Sequence, residues 1–165
     1  MALDGFVKID GIEGESTDDK HVGWIEIIRY GIGIKQTVFT AASSVGGVCV
    51  GRADFSEFIF RKLIDKASPK LALACAAGTH INEMVVQLCR AGSDKVPFMT
   101  YTMRNCLISY VRTTSGLDLP NRFPAETIKV NFGRIQLSYT MQARRGGGPV
   151  GNVAGGWDLE TNRRV

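Results

Sequence analysis

Histidines, cysteines and carboxylates are the residues of this chain that could do chemistry, and their spacing builds no catalytic centre. The two histidines, His21 and His80, lie in separate stretches, and neither has a serine or cysteine nucleophile signature near it. Pairing Cys75 with His80 would supply a thiol and a base, but a helix is predicted to end between them. The carboxylates occur singly or in the adjacent pair Asp18 and Asp19, which is typical of a solvated surface. We therefore expect no enzyme activity.

The cysteines and the glycine-rich run also lack the spacing of a metal or phosphate site. No Cys-x-x-Cys pair occurs and no histidine stands at ligand spacing, so buried free thiols made in a reducing cytosol are predicted. The four thiols are Cys49, Cys75, Cys89 and Cys106. Gly146–Gly151 lacks the Gly-Lys-Ser/Thr ending and the following helix of a phosphate loop. The sequence thus predicts neither a metal nor a cofactor.

Length and composition describe one ordinary globular domain. The chain has 165 residues, of which 44% are apolar and 22% charged, and this balance suits a single domain over residues 1–165. No apolar run approaches the roughly 18 residues of a membrane span. The first eleven residues contain Asp4 and no hydrophobic segment, so no Sec-type signal peptide is expected.

The net charge of +4 is spread unevenly along the chain. Residues 1–20 carry six acids against two lysines, and residues 144–165 carry four arginines against two acids. No element combines clustered lysine and arginine with interleaved aromatics, so nucleic-acid binding is not expected. The charges are either scattered over a solvated surface, or the acidic and basic ends meet between copies of the protein.

One short helix is predicted over Pro69–Ala77. Ser68 can cap its start, proline suits its first position, and Gly78 supplies the left-handed residue that ends it. Leu71 and Cys75 fall on one stripe of this helix. About nine residues are too few for a stable helix in water, where about 12–15 are needed, so the helix must dock on strands.

Alternating and continuous apolar runs predict seven or so strands. They are expected within Phe6–Ile9, Trp24–Ile34, Phe58–Phe60, Glu83–Arg90, Met99–Asn105, Leu107–Thr113 and Thr127–Met141. In the sixth run, Leu107, Ser109 and Val111 are expected to continue one face. Trp24–Ile34 carries apolar groups on both faces, which is typical of a strand covered on both sides. These elements predict a mainly β fold, an antiparallel β-barrel or two-sheet sandwich with one short helix.

The apolar set of the last run changes phase at Gly133. Ile128 to Phe132 are even-numbered, and Ile135 to Met141 are odd-numbered. This change predicts a β-bulge that bends the strand. Arg144–Ala154 is then expected to be a glycine-rich tail, and Trp157 and Leu159 are expected to return the chain to the core.

The segment Thr37–Val50 has no clear period and is too apolar for a solvated loop. Its apolar side chains are expected to be buried against another surface; they are those of Val38, Phe39, Val45 and Val48. Either a neighbouring molecule or the protein's own barrel could provide it.

Six motifs stand in one order along the chain. They are FVKIDGIEGEST at Phe6–Thr17, WIE at Trp24–Glu26, DKASPKL with CAAG in Asp65–Gly78, RAG at Arg90–Gly92, VNFG at Val130–Gly133, and GGPV with GWDL in Gly147–Leu159. Together they resemble the hemolysin-coregulated protein (Hcp) family, the tube protein of bacterial type VI secretion. The resemblance covers essentially the whole chain.

The resemblance implies a protomer that forms homohexameric rings, which stack into a hollow tube inside a contractile sheath. Contraction would expel the tube and its spike, and effectors would ride in the lumen with the protein as their chaperone. The implied partners are further copies of this chain, the spike and sheath proteins, and secreted effectors. Synthesis in the bacterial cytoplasm and export to the extracellular space or a target cell, without a cleaved signal peptide, are also implied.

The resemblance also assigns site residues. The lumen-lining strand corresponds to Trp24–Gln36, and the effector-contact position falls at Gly31, flanked by Tyr30 and Ile32. Val38–Val50 corresponds to an extended loop that reaches an adjacent subunit or ring. Its apolar residues Val38, Phe39, Val45 and Val48 are therefore the expected contacts.

Two other functions compete with the tube subunit. A monomeric β-barrel module could bind a small ligand or single-stranded nucleic acid, and it would need an aromatic-lined basic groove. A hydrolase using Cys75 is the third hypothesis, and it lacks a placed base.

Overall fold

The computed structural model describes residues 3–39, 49–90, 95–115, 123–142 and 149–165, which form eleven strands and one helix. The strands are β1 Leu3–Ile9, β2 Ile25–Ile27, β3 Arg29–Gly31, β4 Ile34–Phe39, β5 Cys49–Phe55, β6 Phe58–Leu63, β7 His80–Arg90, β8 Pro97–Thr114, β9 Ala125–Gln142, β10 Pro149–Asp158 and β11 Arg163–Arg164. Helix α1, Ser68–Ala77, lies between β6 and β7. The predicted antiparallel, mainly β fold with one short helix is confirmed.

The long strands β8 and β9 belong to two layers at once. The first layer has the order β3–β6–β9–β8 and uses the start of β9 and the end of β8. The second layer has the order β2–β1–β7–β8–β9–β10–β11 and uses their other halves. The sheet therefore folds over on itself and encloses one core. Large buried side chains from both layers fill that core, among them Phe58, Phe60, Ile128, Met84, Leu88 and Met103.

The sheet folds over where Asn105 on β8 lies beside Gly133 on β9. Asn105 adopts a left-handed backbone with φ of 53°, which is uncommon for a residue other than glycine. Phe132 before the corner and Ile135 after it are both buried. The phase change predicted at Gly133 is thus confirmed.

The predicted bulge at Gly133 is not seen, because the two strands keep one register through the corner. Arg104 pairs with Arg134 on one side, and Cys106 pairs with Phe132 on the other. Both strands therefore turn over together. The register shift of this ladder lies further along, between Ile108 and Tyr110.

One prediction for β8 is wrong. Leu107 and Ser109 do not continue the inner face, and Cys106 and Ile108 are buried there instead. The left-handed residue Asn105 shifts the alternation by one position. Beyond the register shift, the next inward residue is again odd-numbered, so Val111 packs against the core as expected.

The predicted glycine-rich tail is wrong from Pro149 onward. β10 pairs with β9 from Pro149 to Asp158, because its small residues fit close to the neighbouring strand. At Gly156 a β-carbon would come 3.0 Å from the carbonyl oxygen of Ile135. Trp157 and Leu159 pack against the core as predicted. Residues 143–148 lie outside the described residues.

Helix α1 begins one residue earlier than predicted and ends as predicted. Gly78 follows it with φ of 61° and ψ of 39°, the left-handed conformation expected of a terminating glycine. Leu71 and Ala74 are buried on its docking side, while Cys75 is half-buried. Ser68 does not cap the helix, since Ala67 holds the cap position without a side-chain hydrogen bond.

The Ser68 hydroxyl is instead part of a buried polar cluster beneath the helix. Lys62 is fully buried, and its Nζ lies 2.6 Å from Asp65 Oδ1 and 3.0 Å from Glu126 Oε2. It also donates to Ser68 Oγ at 2.9 Å, and Ser68 donates to Glu126 at 2.6 Å. Asp65 accepts the backbone N–H of Ala67. This cluster ties the start of α1 to β6 and β9.

Candidate functional site

The predicted effector position Gly31 lies on β3, at one end of the first layer. Arg29 and Gly31 face away from the core, because Tyr30 between them stacks on the buried ring of Phe58 at 6.3 Å. Ile32 also packs against the core. Tyr30 and Gly31 therefore alternate along β3 yet both line the depression described below, whereas Ile32 does not line it.

The surface around Gly31 continues across all four strands of the first layer, and we call it the open face. The strand registers align its side chains in two rows. One row is Arg29, Arg61, Thr127 and Arg112, and the next is Gly31, Ile59, Lys129 and Tyr110. The alternate residues of β6 and β9, such as Phe60 and Ile128, are fully buried on the other side.

A shallow depression of about 250 Å³ occupies the part of the open face nearest β3. It is lined by Arg29, Tyr30, Gly31, Ile59, Phe60, Arg61 and Thr127. A β-carbon at Gly31 would meet nothing within 4 Å. The missing side chain therefore leaves open space that a bound group could enter.

Within the described residues, the first layer has two strand edges without a neighbour. β3 pairs only with β6, and residues 108–114 of β8 pair only with β9, because the β7 ladder ends at Leu107. These edges stand at opposite ends of the layer. An edge of this kind is a template for pairing with another chain.

The predicted extended loop Val38–Val50 is built at its base as a hairpin. β4 and β5 form a separate two-stranded sheet whose register runs from Ile34 opposite Phe55 to Phe39 opposite Cys49. Val38 is 53% exposed. Residues 40–48, and with them Val45 and Val48, lie outside the described residues, as does the side chain of Phe39.

His21, which the sequence shows only as a loop histidine, is buried and structural. Its Nδ1 lies 2.6 Å from Asp18 Oδ1, and its Nε2 lies 2.8 Å from Gln87 Oε1. Its ring stacks on Phe6 with 4.1 Å between centroids. Hydrogen bonds from His21 and then Lys95 lower the pKa of Asp18 to about 2. His21 thus fixes the polar loop after β1 to the second layer. This contact could not be predicted from the sequence, because His21 and Gln87 are 66 residues apart in the chain.

The thiols of the described residues do not form a reactive centre. Burial raises the pKa of Cys106 to about 12 and that of Cys89 to about 11, so neither supplies a thiolate near neutral pH. Cys75 is half-buried on α1, and His80 is exposed at the start of β7. No group of three metal-ligating side chains occurs in the part of the chain that the structure describes.

No helix within the described ranges is both long and apolar enough to cross a membrane.

Comparisons with known proteins agree with this architecture. Residues 6–139 match the family described as "Type VI secretion system effector, Hcp". Protein hcp1 of Pseudomonas aeruginosa is 31% identical to this chain over 163 residues, which is 98% of either chain.

Solved structures share the fold over their full length. A protein described as "a type six secretion system protein" aligns with a TM-score of 0.91 and 30% identity, covering 99% of this chain and all of the other. Hcp1 from Salmonella typhimurium aligns with a TM-score of 0.79 and 28% identity over the whole of both chains. On the match over residues 6–139 and the full-length relative, this chain belongs to the Hcp family of type VI secretion proteins.

Proposed function

We propose that this protein is a subunit of the type VI secretion tube, whose protomers form hexameric rings that stack and carry or chaperone secreted effectors in the lumen. Family membership supports the tube assignment. The two unpaired edges of the first layer, β3 and residues 108–114 of β8, carry the proposal for rings. Because they lie at opposite ends of one layer, copies can pair head to tail, and such heterologous contacts form a ring when the rotation between copies closes.

The width of the first layer fits a ring with a wide hole. Neighbouring strands lie about 4.8 Å apart, so six copies of four strands would give a circumference of about 115 Å and a diameter of about 37 Å. The core and helix α1 cover the other side of the layer. The open face would therefore line the hole, and the depression at Gly31 would be the effector contact.

The β4–β5 hairpin is the proposed contact with an adjacent subunit or ring. Ser56 joins its base to Gly33, with its hydroxyl accepting the Gly33 N–H at 2.7 Å and its N–H donating to Gly33 O at 2.9 Å. Beyond that base, β4 and β5 pair only with each other among the described strands. Val38, Phe39, Val45 and Val48 are the proposed contacts.

The remaining parts of the proposal follow from the tube role. The partners are copies of this chain, the spike and sheath proteins, and secreted effectors. The protein is made in the bacterial cytoplasm and exported with the tube, as one domain over residues 1–165. It has no catalytic role, and the raised pKa values of Cys89 and Cys106 support this.

The solution mass of the purified protein tests the ring. Size-exclusion chromatography with light scattering should give about six times the protomer mass of 18.0 kDa. A persistent monomer up to millimolar concentration, with cooperative thermal unfolding, would contradict the ring and favour a monomeric binding module.

Proline substitution tests the edge itself. Adjacent residues of a strand point their N–H groups in opposite directions, so Val111→Pro and Arg112→Pro should behave differently. The substitution at the residue whose N–H points to β9 should break that ladder and lower the melting temperature more. The substitution at the residue whose N–H points outward should lower the melting temperature less and lose the ring. If both variants still assemble at wild-type concentration, the β8 edge is not the ring contact.

A further inference from the structure

The open face concentrates positive charge across neighbouring strands. Arg29 on β3 stands directly opposite Arg61 on β6, and Arg112 on β8 completes the row beyond Thr127. Lys129 lies in the next row, with its Nζ 5.1 Å from the centre of the Tyr110 ring. Each of the four strands thus contributes one cation to the same surface.

Like charges placed directly opposite each other on a sheet destabilise the protomer. Arg29 and Arg112 are exposed at the two ends of the row, whereas Arg61 already has an interaction within the chain. Glu57 precedes β6 on the same parity as Ile59, and its carboxylate accepts a hydrogen bond from Ser109. The face therefore keeps an excess of positive charge, carried for this argument by Arg29, Arg112 and Lys129.

We propose that the three cations Arg29, Arg112 and Lys129, called the basic row from here on, bind acidic protein surfaces and so select effectors that present clustered aspartate and glutamate side chains. The inference rests on the proposed function, because the open face is taken to line the lumen. Six copies of the row around a ring would repeat the cations at regular intervals. Complementary charge would raise the rate and the selectivity of loading more than the affinity of any one contact.

The surface around the cations favours protein over single-stranded nucleic acid. Binding of single strands relies on free aromatic faces on which bases stack. On the open face, the Tyr110 ring is approached by Lys129, and the ring of Tyr30 is turned to Phe58. The rest of the surface is Gly31, Ile59 and Thr127, a small and aliphatic floor that suits protein side chains.

A labelled peptide of about 20 glutamates is the probe, and fluorescence anisotropy on the full-length protein is the measurement. The row variant carries Arg29→Gln, Arg112→Gln and Lys129→Gln. The control variant removes the same charge from exposed positions on β1, α1 and β7. Its substitutions are Lys8→Gln, Lys70→Gln and Arg90→Gln.

The row variant should bind the peptide at least about tenfold more weakly than wild type, and the control variant less than about twofold more weakly. Added salt should weaken wild-type binding, since the contacts are between exposed charges. An equal loss of affinity in both variants would mean that net charge alone explains the binding, and this would overturn the proposal. Tighter binding of a 20-nucleotide oligo(dT) than of the peptide would overturn it in favour of nucleic acid.

Light scattering on the same samples separates this proposal from the tube. Six-protomer particles that do not bind the peptide would overturn the basic row and leave the tube standing. If the protein binds the peptide but never assembles, the tube proposal is overturned and the basic row still stands. If the row variant itself fails to assemble, the single variant Lys129→Gln tests peptide binding instead. Lys129 lies on β9, an interior strand of the layer, so this substitution leaves the proposed ring edges intact. Wild-type affinity in that assembled variant would contradict the proposal.

Discussion

Asn105 and Gly133 stand so close at the corner of the sheet that a β-carbon built on Gly133 would lie 3.2 Å from the β-carbon of Asn105. The same β-carbon would lie 2.9 Å from Glu160 Oε1, which also accepts a hydrogen bond from Asn105 Nδ2 at 3.2 Å. The backbone of Gly133 is not left-handed, so close approach explains this glycine. The missing side chain at Gly133 therefore lets the two strands approach this closely at the corner.

Gly133→Val should destabilise the protomer by about 1–3 kcal/mol, the usual effect of overpacking a close contact. Urea unfolding followed by circular dichroism measures this change. Gly31→Val is the matched control on another strand. Its β-carbon meets nothing within 4 Å, so its stability should stay within about 0.5 kcal/mol of wild type. Equal losses in the two variants would refute the close-contact explanation.

Lys62→Met should destabilise the protomer by about 3–5 kcal/mol, because it leaves Glu126 and Asp65 without their buried cation. Combining it with Glu126→Gln should recover part of that loss, since the amide carries no charge. Lys66→Met is the control. Its ion pair with Glu13 is exposed, and such a pair contributes at most about 1 kcal/mol. A loss for Lys62→Met no larger than the control's would show that the cluster adds nothing.

Asp18 should make stability depend on pH in the acid range. Its pKa is about 2 in the folded protein and 3.8 as an ordinary aspartate, so its ionised form favours the folded state. That stabilisation is complete above about pH 4 and is lost as the pH falls toward 2. Asp18→Asn should lower the urea midpoint at pH 7 and flatten its decline between pH 4 and pH 2. The neighbouring exposed residue gives the control Asp19→Asn, and a similar curve for both variants would exclude this role.

Replacing Val38–Val50 by a two-residue Gly-rich turn should leave the barrel folded and impair assembly. β4 and β5 form a sheet of their own, so little of the core depends on the segment. Circular dichroism and melting temperature should be close to wild type, while light scattering should show fewer assembled particles. Loss of the native spectrum with assembly affected last would mean that the hairpin supports the protomer.

Cys89 and Cys106 should resist iodoacetamide at pH 7.5 in the folded protein and react once it is unfolded in urea. Their pKa values of about 11 and about 12 leave almost no thiolate at that pH, and both side chains are buried. Mass spectrometry of tryptic peptides identifies which thiols react. Rapid labelling of Cys106 in the folded state would show that the core opens.

The elements with local signals could be predicted from the sequence. Helix α1, the terminating Gly78, the strand within Glu83–Arg90 and the phase change at Gly133 all depend on periodicity or on a turn residue. The left-handed backbone of Asn105 could not be predicted, because a single asparagine in an alternating run does not indicate that conformation. β10 was mistaken for a tail because glycines usually mark loops.

The polar clusters and the open face depend on contacts between distant parts of the chain. The sequence predicts Ser68 as a helix cap, but its hydroxyl donates a hydrogen bond to Glu126, which lies 58 residues later in the chain. Arg29 and Arg112 are unremarkable in the sequence, and only the register of four strands places them in one row. Gly31 was identified through the family resemblance, and no pattern in this chain alone marks it.

Strand β9 bonds to β6 through its first half, to β10 through its second half, and to β8 along most of its length. A ribosome making this chain therefore releases β3 and β6 of the first layer, and β1, β2, β7 and β8, before β9, which bonds to both β6 and β8, has emerged. Until then β6 has no partner on one side, and β8 has an unpaired edge along most of its length. Nascent protomers should consequently be most prone to mispairing late in synthesis, when long strand edges are exposed together.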